Sequence, residues 1–173
     1  MADDFGLRAP FPNLRDNYKK RSRASTRYNC IAWAAGESHR HWWPDIGTDV
    51  YWPLDLTLEE SLDCTLDNFI QAFELLGYEC CEKSTSREKG YQKIAIYVKD
   101  GKPSHAARQL WRGTWVSKIG KGNVDIEHTP AGLERGLYGM VAQVMKRPWT
   151  VRNFLGLFLL ALKVKLLGLL KMD

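Results

Sequence analysis

The stretch QKIAIYVKDGKPSHAARQLWRGTWVSKI, residues 92 to 119, decides the fold of this chain. It opens with a strongly apolar run, and Asp100-Gly101 then forms a dipeptide that is typical of tight hairpin turns. The pattern predicts three antiparallel strands, at residues 92–99, 104–111 and 114–119. His105 lies at the start of the middle strand.

Two helices are predicted upstream of these strands. Asn29 is a good N-cap, the small residues that follow favour helix, and Gly36 suits a helix end. This places Cys30 in the first turn of a short helix. Residues 56 to 77 carry apolar side chains at spacings of three and four, which predicts an amphipathic helix. Helices followed by an antiparallel sheet indicate the α+β class.

Three regions of the chain differ in composition. Residues 1 to 27 carry two prolines and many basic side chains, which predicts an irregular basic arm on the surface. Residues 28 to 147 hold the predicted helices and strands and form the α+β domain. Residues 148 to 173 are rich in Leu, Phe and Val with several basic side chains, which predicts an apolar, basic C-terminal helix.

Composition bounds the class of protein and its compartment. The net charge is +5, and an apolar content of 45% is that of a globular protein. The four cysteines follow no zinc-ligand spacing, and the N-terminus lacks the regions of a signal peptide. We therefore expect free thiols and a cytoplasmic location, with no metal and no cofactor. The basic arm lacks interleaved aromatic residues, so nucleic acid is not an expected partner.

Cys30 and His105 are the candidate catalytic pair. A helix N-terminus favours negative charge, so it lowers the pKa of a cysteine in its first turn. His105 is the candidate general base, because a base must reach the thiol by hydrogen bonding. The alternative is a structural role, in which Cys30 packs as a small apolar side chain beside an unrelated histidine. Spacing alone leaves both interpretations open.

This order, a helix-borne cysteine followed by antiparallel strands that carry a histidine, resembles the papain-like fold group. The nearer likeness is to NlpC-type cell-wall peptidases and amidases, and it implies a papain-like fold with a third polar residue after the histidine. Ser117 occupies the next strand here and Asp125 follows it; Asp125 is the better orienter of an imidazolium because it is a carboxylate. The nucleophile block is Asn-Cys-Ile-Ala in place of Asp-Cys-Ser-Gly, so the substrate is not carried over.

A second resemblance rests on short sequence blocks. YNCIAWAAGE, WWP, YWP, LGYE, SHAARQL and WVSKIG look like the motif set of an uncharacterised bacterial domain family. This likeness covers residues 28 to 147. It implies the same papain-like fold and brings no established reaction with it.

Trp43, Trp52 and Gln109 are the candidate substrate-binding residues. The two tryptophans lie in an aromatic loop, where they either line a cleft or close one side of the core. Gln109 lies four residues after His105, and alternate positions of a strand share a face, so both side chains point the same way.

Two functions follow as expectations. The first is a cysteine hydrolase or acyltransferase that acts on an amide or thioester through Cys30 and His105, with Asp125 or Ser117 as the third residue. The second is a non-catalytic binding module or a membrane-associated effector of toxin or defence type.

The second expectation depends on the apolar tail. Residues 154 to 170 are apolar on nearly all sides but span only 17 residues, fewer than the about 20 that cross a bilayer. Such a segment buries itself in a membrane surface, in its own domain or in a second copy of the chain. Residues 151 to 170 are therefore expected to pack against a membrane surface, the rest of the domain or a second copy of the chain.

Overall fold

The computed structural model describes residues 6 to 149, apart from residues 8, 16, 47–49 and 121–122. Its elements, in chain order, are β1 (Lys19–Lys20), α1 (Cys30–Ala35), α2 (Leu58–Asp63), α3 (Leu66–Glu74), β2 (Glu79–Cys81), β3 (Tyr91–Lys99), β4 (Lys102–Gln109), β5 (Trp115–Ile119), β6 (Val124–His128), a 3-10 helix (Pro130–Leu133) and β7 (Met140–Pro148). The strands form one sheet in the order β1-β6-β5-β4-β3-β7-β2. Neighbouring strands are antiparallel throughout.

The strands β3, β4 and β5 form the meander that the sequence predicts. Asp100 and Gly101 join β3 to β4 with φ values of 51° and 79°, the left-handed conformation that a tight hairpin turn requires. The structure describes β4 and β5 in full, and they pair only through Arg108 and Gln109, at the end of β4. The first part of β4 therefore lacks β5 as a neighbour. We call this region the β4–β5 gap; α1 contacts both strands.

Successive side chains of the sheet alternate between two buried faces. On the helical face, Ile94 and Ile96 of β3 pack with α1 and α3. On the opposite face, which we call the arm face, Ala95 and Tyr97 pack with residues 7–14 and the 3-10 helix. A strand that is buried on both faces reads as a nearly continuous apolar run, which explains the sequence of β3.

The predicted helix after Asn29 is confirmed as α1. The Asn29 side chain accepts a hydrogen bond from the Ala32 N–H and so caps the first turn. Gly36 ends the helix with a φ of 96°, which favours glycine. Cys30 consequently occupies the first helical position.

The single helix predicted over residues 56 to 77 is wrong, because two shorter helices occupy this segment. α2 ends at Cys64, whose φ of 50° is left-handed and stops the helix. Thr57 and Thr65 cap α2 and α3 by accepting hydrogen bonds from N–H groups of the first turns. A threonine cap inside an apolar pattern marks a helix start that the spacing of apolar residues does not show.

The papain-like α+β class expected from the sequence is wrong for this structure. A seven-stranded antiparallel sheet dominates the described residues, and the α-helices found there are short, with six, six and nine residues. The sheet exceeds the predicted meander because β7 pairs with β3 and carries β2 on its other side. Such pairing joins residues that are distant in sequence, and local periodicity does not reveal it.

The apolar C-terminal helix expected over residues 148 to 173 finds no support in the described residues. Pro148 ends β7, and residues 150 to 173 lie outside the described part of the chain. Within the described ranges, no helix is both long and apolar enough to cross a membrane.

Part of the segment expected to be a surface arm packs into the core. Leu7, Phe11 and Leu14 are fully buried on the arm face, and β1 pairs with β6 at the edge of the sheet. The basic residues dominate the composition of this segment, whereas three apolar residues spaced by four and three decide its packing. The packed core thus extends ahead of residue 28.

Candidate active site

Cys30 lies at the start of α1, beside the β4–β5 gap, and is half-buried. The backbone N–H groups of Cys30, Ile31 and Ala106 favour the thiolate and act to lower the pKa of the thiol. Burial outweighs them and raises the pKa of the thiol to about 11. Cys30 is therefore a neutral thiol at neutral pH.

The Ala106 N–H, which acts on the Cys30 thiol, lies in the part of β4 that does not pair with β5. In a continuous sheet, an N–H on that side of the strand would bond to the neighbouring strand. A helix start and a strand thus both supply backbone N–H groups that favour negative charge on one sulfur. Such a group of donors stabilises negative charge on the sulfur, or on an oxygen that lies beside it.

His105 is fully buried on the arm face, and burial lowers its pKa well below the usual range. Its ring stacks on the Tyr138 ring with centroids 3.8 Å apart and planes 3° apart, and it meets the edge of Tyr97. Neither ring nitrogen has a hydrogen-bond partner among the described residues. The hydrogen bond expected between Cys30 and His105 is consequently not formed in this structure.

Cys30 packs with the helical-face cluster, whereas His105 lies on the arm face, and two residues link them. His105 directly precedes Ala106, whose N–H acts to lower the pKa of the Cys30 thiol. Burial raises the pKa of Tyr138, and the Cys30 thiol is the next cause of that rise. Because Tyr138 also stacks on His105, the thiol acts electrostatically on a tyrosine whose ring contacts the imidazole.

Asp125 is bound to Tyr28 rather than to His105. The Tyr28 hydroxyl donates to the two carboxylate oxygens, at 2.9 and 3.1 Å. Burial raises the pKa of Asp125, while the Tyr28 hydroxyl and the Lys118 ammonium oppose that shift. Asp125 alternates with arm-face residues of β6 and so lies on the helical face, whereas His105 lies on the arm face. The carboxylate therefore does not orient this imidazole.

Ser117 forms a buried pair with a different histidine, His128. The Ser117 Oγ lies 2.8 Å from Nε2 of His128, and Nδ1 of that ring lies 2.8 Å from the Thr129 carbonyl oxygen. Because a carbonyl only accepts, Nδ1 carries the proton and Nε2 accepts from the serine hydroxyl. Burial lowers the pKa of His128 to about 4, so the ring is neutral at neutral pH. The four predicted catalytic residues do not form one hydrogen-bonded group.

His128 also borders a surface cleft of about 400 Å³ at the ends of β1, β5 and β6. Tyr18, Lys19 and Trp115 are among its other lining residues, and neither Cys30 nor His105 contributes. Within the described ranges, no three His, Cys, Asp or Glu side chains lie together as a metal ion would require.

The three candidate substrate-binding residues pack against the core, Gln109 buried and the two tryptophans half-buried. Trp43 and Trp52 meet the Phe69 ring at centroid distances of 5.6 and 4.9 Å, where the aromatic loop covers α3. Gln109 is buried, and its Nε2 donates to two backbone carbonyls in flanking loops. These contacts close the core and hold the loops together.

Sequence reasoning missed Tyr138. This residue precedes β7 and lies between Gly136 and Gly139, and a side chain at Gly139 would collide with the Val98 carbonyl of β3. The glycine therefore lets the chain before β7 approach β3 closely enough for Tyr138 to reach His105. Two glycines around an aromatic residue are the sequence signal that could have pointed to it.

Comparison with known proteins gives a family and no closer relative. No curated protein matches the chain, and no solved structure does. Residues 19–146 match the family described as "Domain of unknown function (DUF7689)", and because this stretch covers well over half of the chain, the protein belongs to that family.

Proposed function

We propose that the protein is a cysteine hydrolase or acyltransferase that acts on an amide or thioester, with Cys30 as the nucleophile. The observation that carries this proposal is the place of Cys30 at the first position of α1, where the backbone N–H groups of Cys30, Ile31 and Ala106 act to lower the pKa of its thiol. Acyl transfer develops negative charge first on the nucleophile and then on the carbonyl oxygen. Backbone donors held by a helix start and a strand serve both stages, because they need not move.

His105 is the proposed general base. Burial keeps its imidazole neutral, and a neutral imidazole can take the thiol proton. A buried polar atom without a partner costs about 1–3 kcal/mol, and neither ring nitrogen of His105 has a partner in the described part of the chain. The ring nitrogens would gain a partner if the His105 ring bonds to the thiol when substrate binds. Catalytic hydrogen bonds are often long in the free enzyme and shorten only in the complex with substrate.

The proposed reaction has four steps. The Cys30 proton passes to His105, and the sulfur bonds to the carbonyl carbon of the substrate. The tetrahedral intermediate then expels an amine or a thiol, which takes the proton back from His105. Water, or a second amine or thiol, gives its proton to His105 and attacks the acyl carbon. The sulfur leaves, recovers the proton, and the acid or the transfer product is released.

The third position of this site is filled by stacking rather than by a polar side chain. Asp125 is bound to Tyr28, and Ser117 is bound to His128. Tyr138 covers one face of the His105 ring and restricts its plane. We assign Tyr138 the role of a positioning residue, in place of the orienter expected at Asp125 or Ser117.

The test is turnover of small thioesters and anilides by the full chain, compared with its Cys30→Ser and Cys30→Ala variants. We expect turnover to fall by about 1000-fold or more in both variants, as happens when an enzyme loses its nucleophile, and mass spectrometry to find an acyl group on Cys30. Cys80→Ser is the matched control, because Cys80 is exposed and lies at the edge of the sheet. Equal turnover in wild type and Cys30→Ala would refute the proposal.

A second candidate function is a non-catalytic binding or effector module. It is favoured by the raised pKa of Cys30 and by the fact that the Cys30 thiol and the His105 ring do not form a hydrogen bond with each other. If the module is membrane-associated, residues 151 to 170, which lie outside the described part of the chain, would make the contact. The protein would then be cytoplasmic and bound to the membrane surface. The test compares the full chain with a form that ends at Trp149 in co-sedimentation with anionic vesicles. Equal sedimentation of both forms would show that residues 150 to 173 do not contribute to membrane binding.

A further inference from the structure

Four polar side chains lie near one another on the helical face of the sheet. We call them the arginine cluster: Tyr78, Gln92, Arg108 and Arg147. Gln92 and Arg108 are almost fully buried, with 1% and 3% of their surface exposed. Gln92 lies two residues before Ile94, which pairs with Arg108 across β3 and β4. Gln92 and Arg108 are thus diagonal neighbours on one face, within reach of long side chains.

The orientation of the Gln92 amide is determined by its neighbours. The Tyr78 hydroxyl donates to Gln92 Oε1 at 2.9 Å, and Arg147 donates to the same oxygen through Nε at 3.1 Å and Nη2 at 2.9 Å. Three donors on one atom identify it as the oxygen, so the other atom is the NH2 group. This Nε2 is buried and has no acceptor among the described residues.

Arg108 presents a second donor of the same kind. Its Nε is buried and has no acceptor in the described part of the chain. The guanidinium lies over the Trp33 ring, 4.5 Å from the centroid. A Cβ atom at Gly36 would lie 3.1 Å from Arg108 Nη1. The glycine at the end of α1 therefore provides the space that the guanidinium occupies.

The cluster carries two positive charges. Arg147 lies over the Tyr78 ring, 4.4 Å from the centroid, and its charge acts unfavourably on Arg108. No described carboxylate lies within ion-pair distance of either arginine. Asp125 acts on Arg108 from farther away and already accepts from Tyr28. A buried charge without a close partner is costly, and an arginine cannot lose its proton to avoid that cost.

We infer that Arg108 and Gln92 bind a small oxyanion, a carboxylate or phosphate group, between α1 and the sheet. An oxyanion accepts from both orphaned donors and offsets the charge of the two arginines. A water molecule accepts the same hydrogen bonds but leaves the charge uncompensated. Guanidinium groups favour carboxylate and phosphate oxygens because their N–H groups form a planar fork. The inference does not require Cys30 to be a nucleophile.

The test measures the melting temperature of the full chain in acetate, in phosphate and in chloride at matched ionic strength. We expect a saturable rise of about 5 °C in at least one oxyanion over chloride; acetate or phosphate as the active anion tells which group is bound. Arg108→Met, which keeps the length of the side chain, should abolish the rise. Arg112→Met, at an exposed position in the β4–β5 turn, is the control and should retain it. A wild-type melting temperature that depends on ionic strength alone would overturn the inference, and so would a rise retained by Arg108→Met.

Gln92→Glu keeps the test decisive if Arg108→Met does not fold. The new carboxylate can still accept from Tyr78 and Arg147, and its second oxygen replaces the NH2 group that lacks an acceptor. We expect this variant to melt above the wild type in chloride and to respond to neither oxyanion. A lower melting temperature in chloride, or an oxyanion response equal to that of the wild type, would count against the site.

Discussion

His105 and His128 are both buried on the arm face, yet their ring nitrogens have opposite surroundings. His128 lies on β6, which pairs with β5 along its whole length, and both of its nitrogens have partners. His105 lies on β4 at the β4–β5 gap, and neither of its nitrogens has a partner among the described residues.

Strand pairing explains the difference. A continuous pair of strands brings side chains on one face to within reach of each other, as it does for Ser117 and His128. At the gap, the strand that would supply such a neighbour to His105 has diverged. The N–H of Ala106, which acts on the Cys30 thiol, lies at the same gap. One irregularity of the sheet thus accounts for an imidazole without a partner among the described residues and for a strand N–H that favours the Cys30 thiolate. An unsatisfied buried group calls for an explanation other than stability.

The largest effect that would test this contrast is expected at His128. His128→Phe leaves the Ser117 hydroxyl and the Thr129 carbonyl without their partner. Each such loss costs about 1–3 kcal/mol, so we expect the free energy of unfolding to fall by about 3 kcal/mol. Urea denaturation followed by tryptophan fluorescence measures it. Ser117→Ala removes only the hydrogen bond between Ser117 and His128, so its free energy of unfolding should fall by about half as much. A His128→Phe protein as stable as the wild type would contradict the difference drawn between the two histidines.

The next effect is a loss of stability in mild acid. His128 has a pKa of about 4 in the folded protein, whereas an unfolded histidine titrates near 6.5. Between these values the unfolded state binds more protons, so the contribution is complete above pH 6.5 and is lost as the pH falls toward 4. For His128 alone we expect about 2 kcal/mol less stability at pH 5 than at pH 7. The lowered pKa of His105 adds to the loss in the same direction.

Urea curves at both pH values, on wild type and His128→Phe, isolate the part due to one histidine. The raised pKa of Asp125 acts in the opposite sense, since it lets the folded state hold a proton at a higher pH, and it is common to both proteins. The variant should therefore show the weaker pH dependence. Identical slopes would mean that His128 is not held neutral by its burial.

Local features of this fold could be predicted from the sequence, because neighbouring residues determine them. The cap at Asn29, the end of α1 at Gly36 and the turn at Asp100 and Gly101 all follow from backbone preferences. The order of strands could not be predicted in this way. It depends on β7 inserting between β3 and β2, and an apolar strand pattern shows which face is buried but not which strand it will pair with.

The candidate site divides along the same line. The place of Cys30 at a helix start follows from Asn29, one residue away. The pairing of Ser117 with His128 depends on the register between β5 and β6, in which Ser117 faces Ile126 and lies diagonally from His128. The lack of a hydrogen-bond partner for the His105 ring among the described residues depends on where β5 separates from β4. The spacing of residues along the chain predicts neither the register of two strands nor the point at which they separate. Asp125 and Ser117 have side chains suited to orient an imidazolium, but the structure pairs them with Tyr28 and His128.

The smallest effect on stability is expected for the same substitution at the other histidine. His105→Phe keeps a planar ring against Tyr97 and Tyr138, and it breaks no hydrogen bond to a described residue. It also removes two buried polar atoms, which offsets the cost of a slightly larger ring. We expect the free energy of unfolding to change by less than about 1 kcal/mol, well below the loss at His128.

Under the proposed mechanism, the same variant loses acyl transfer, because a phenyl ring takes no proton from Cys30. Urea denaturation and thioester turnover on one preparation of His105→Phe separate the two claims. A loss of stability as large as that of His128→Phe would mean that His105 has a structural partner, and the contrast between the histidines would fail. Unchanged turnover in a stable variant would leave the account of the sheet intact and remove His105 as the base, since only the reaction requires its nitrogens.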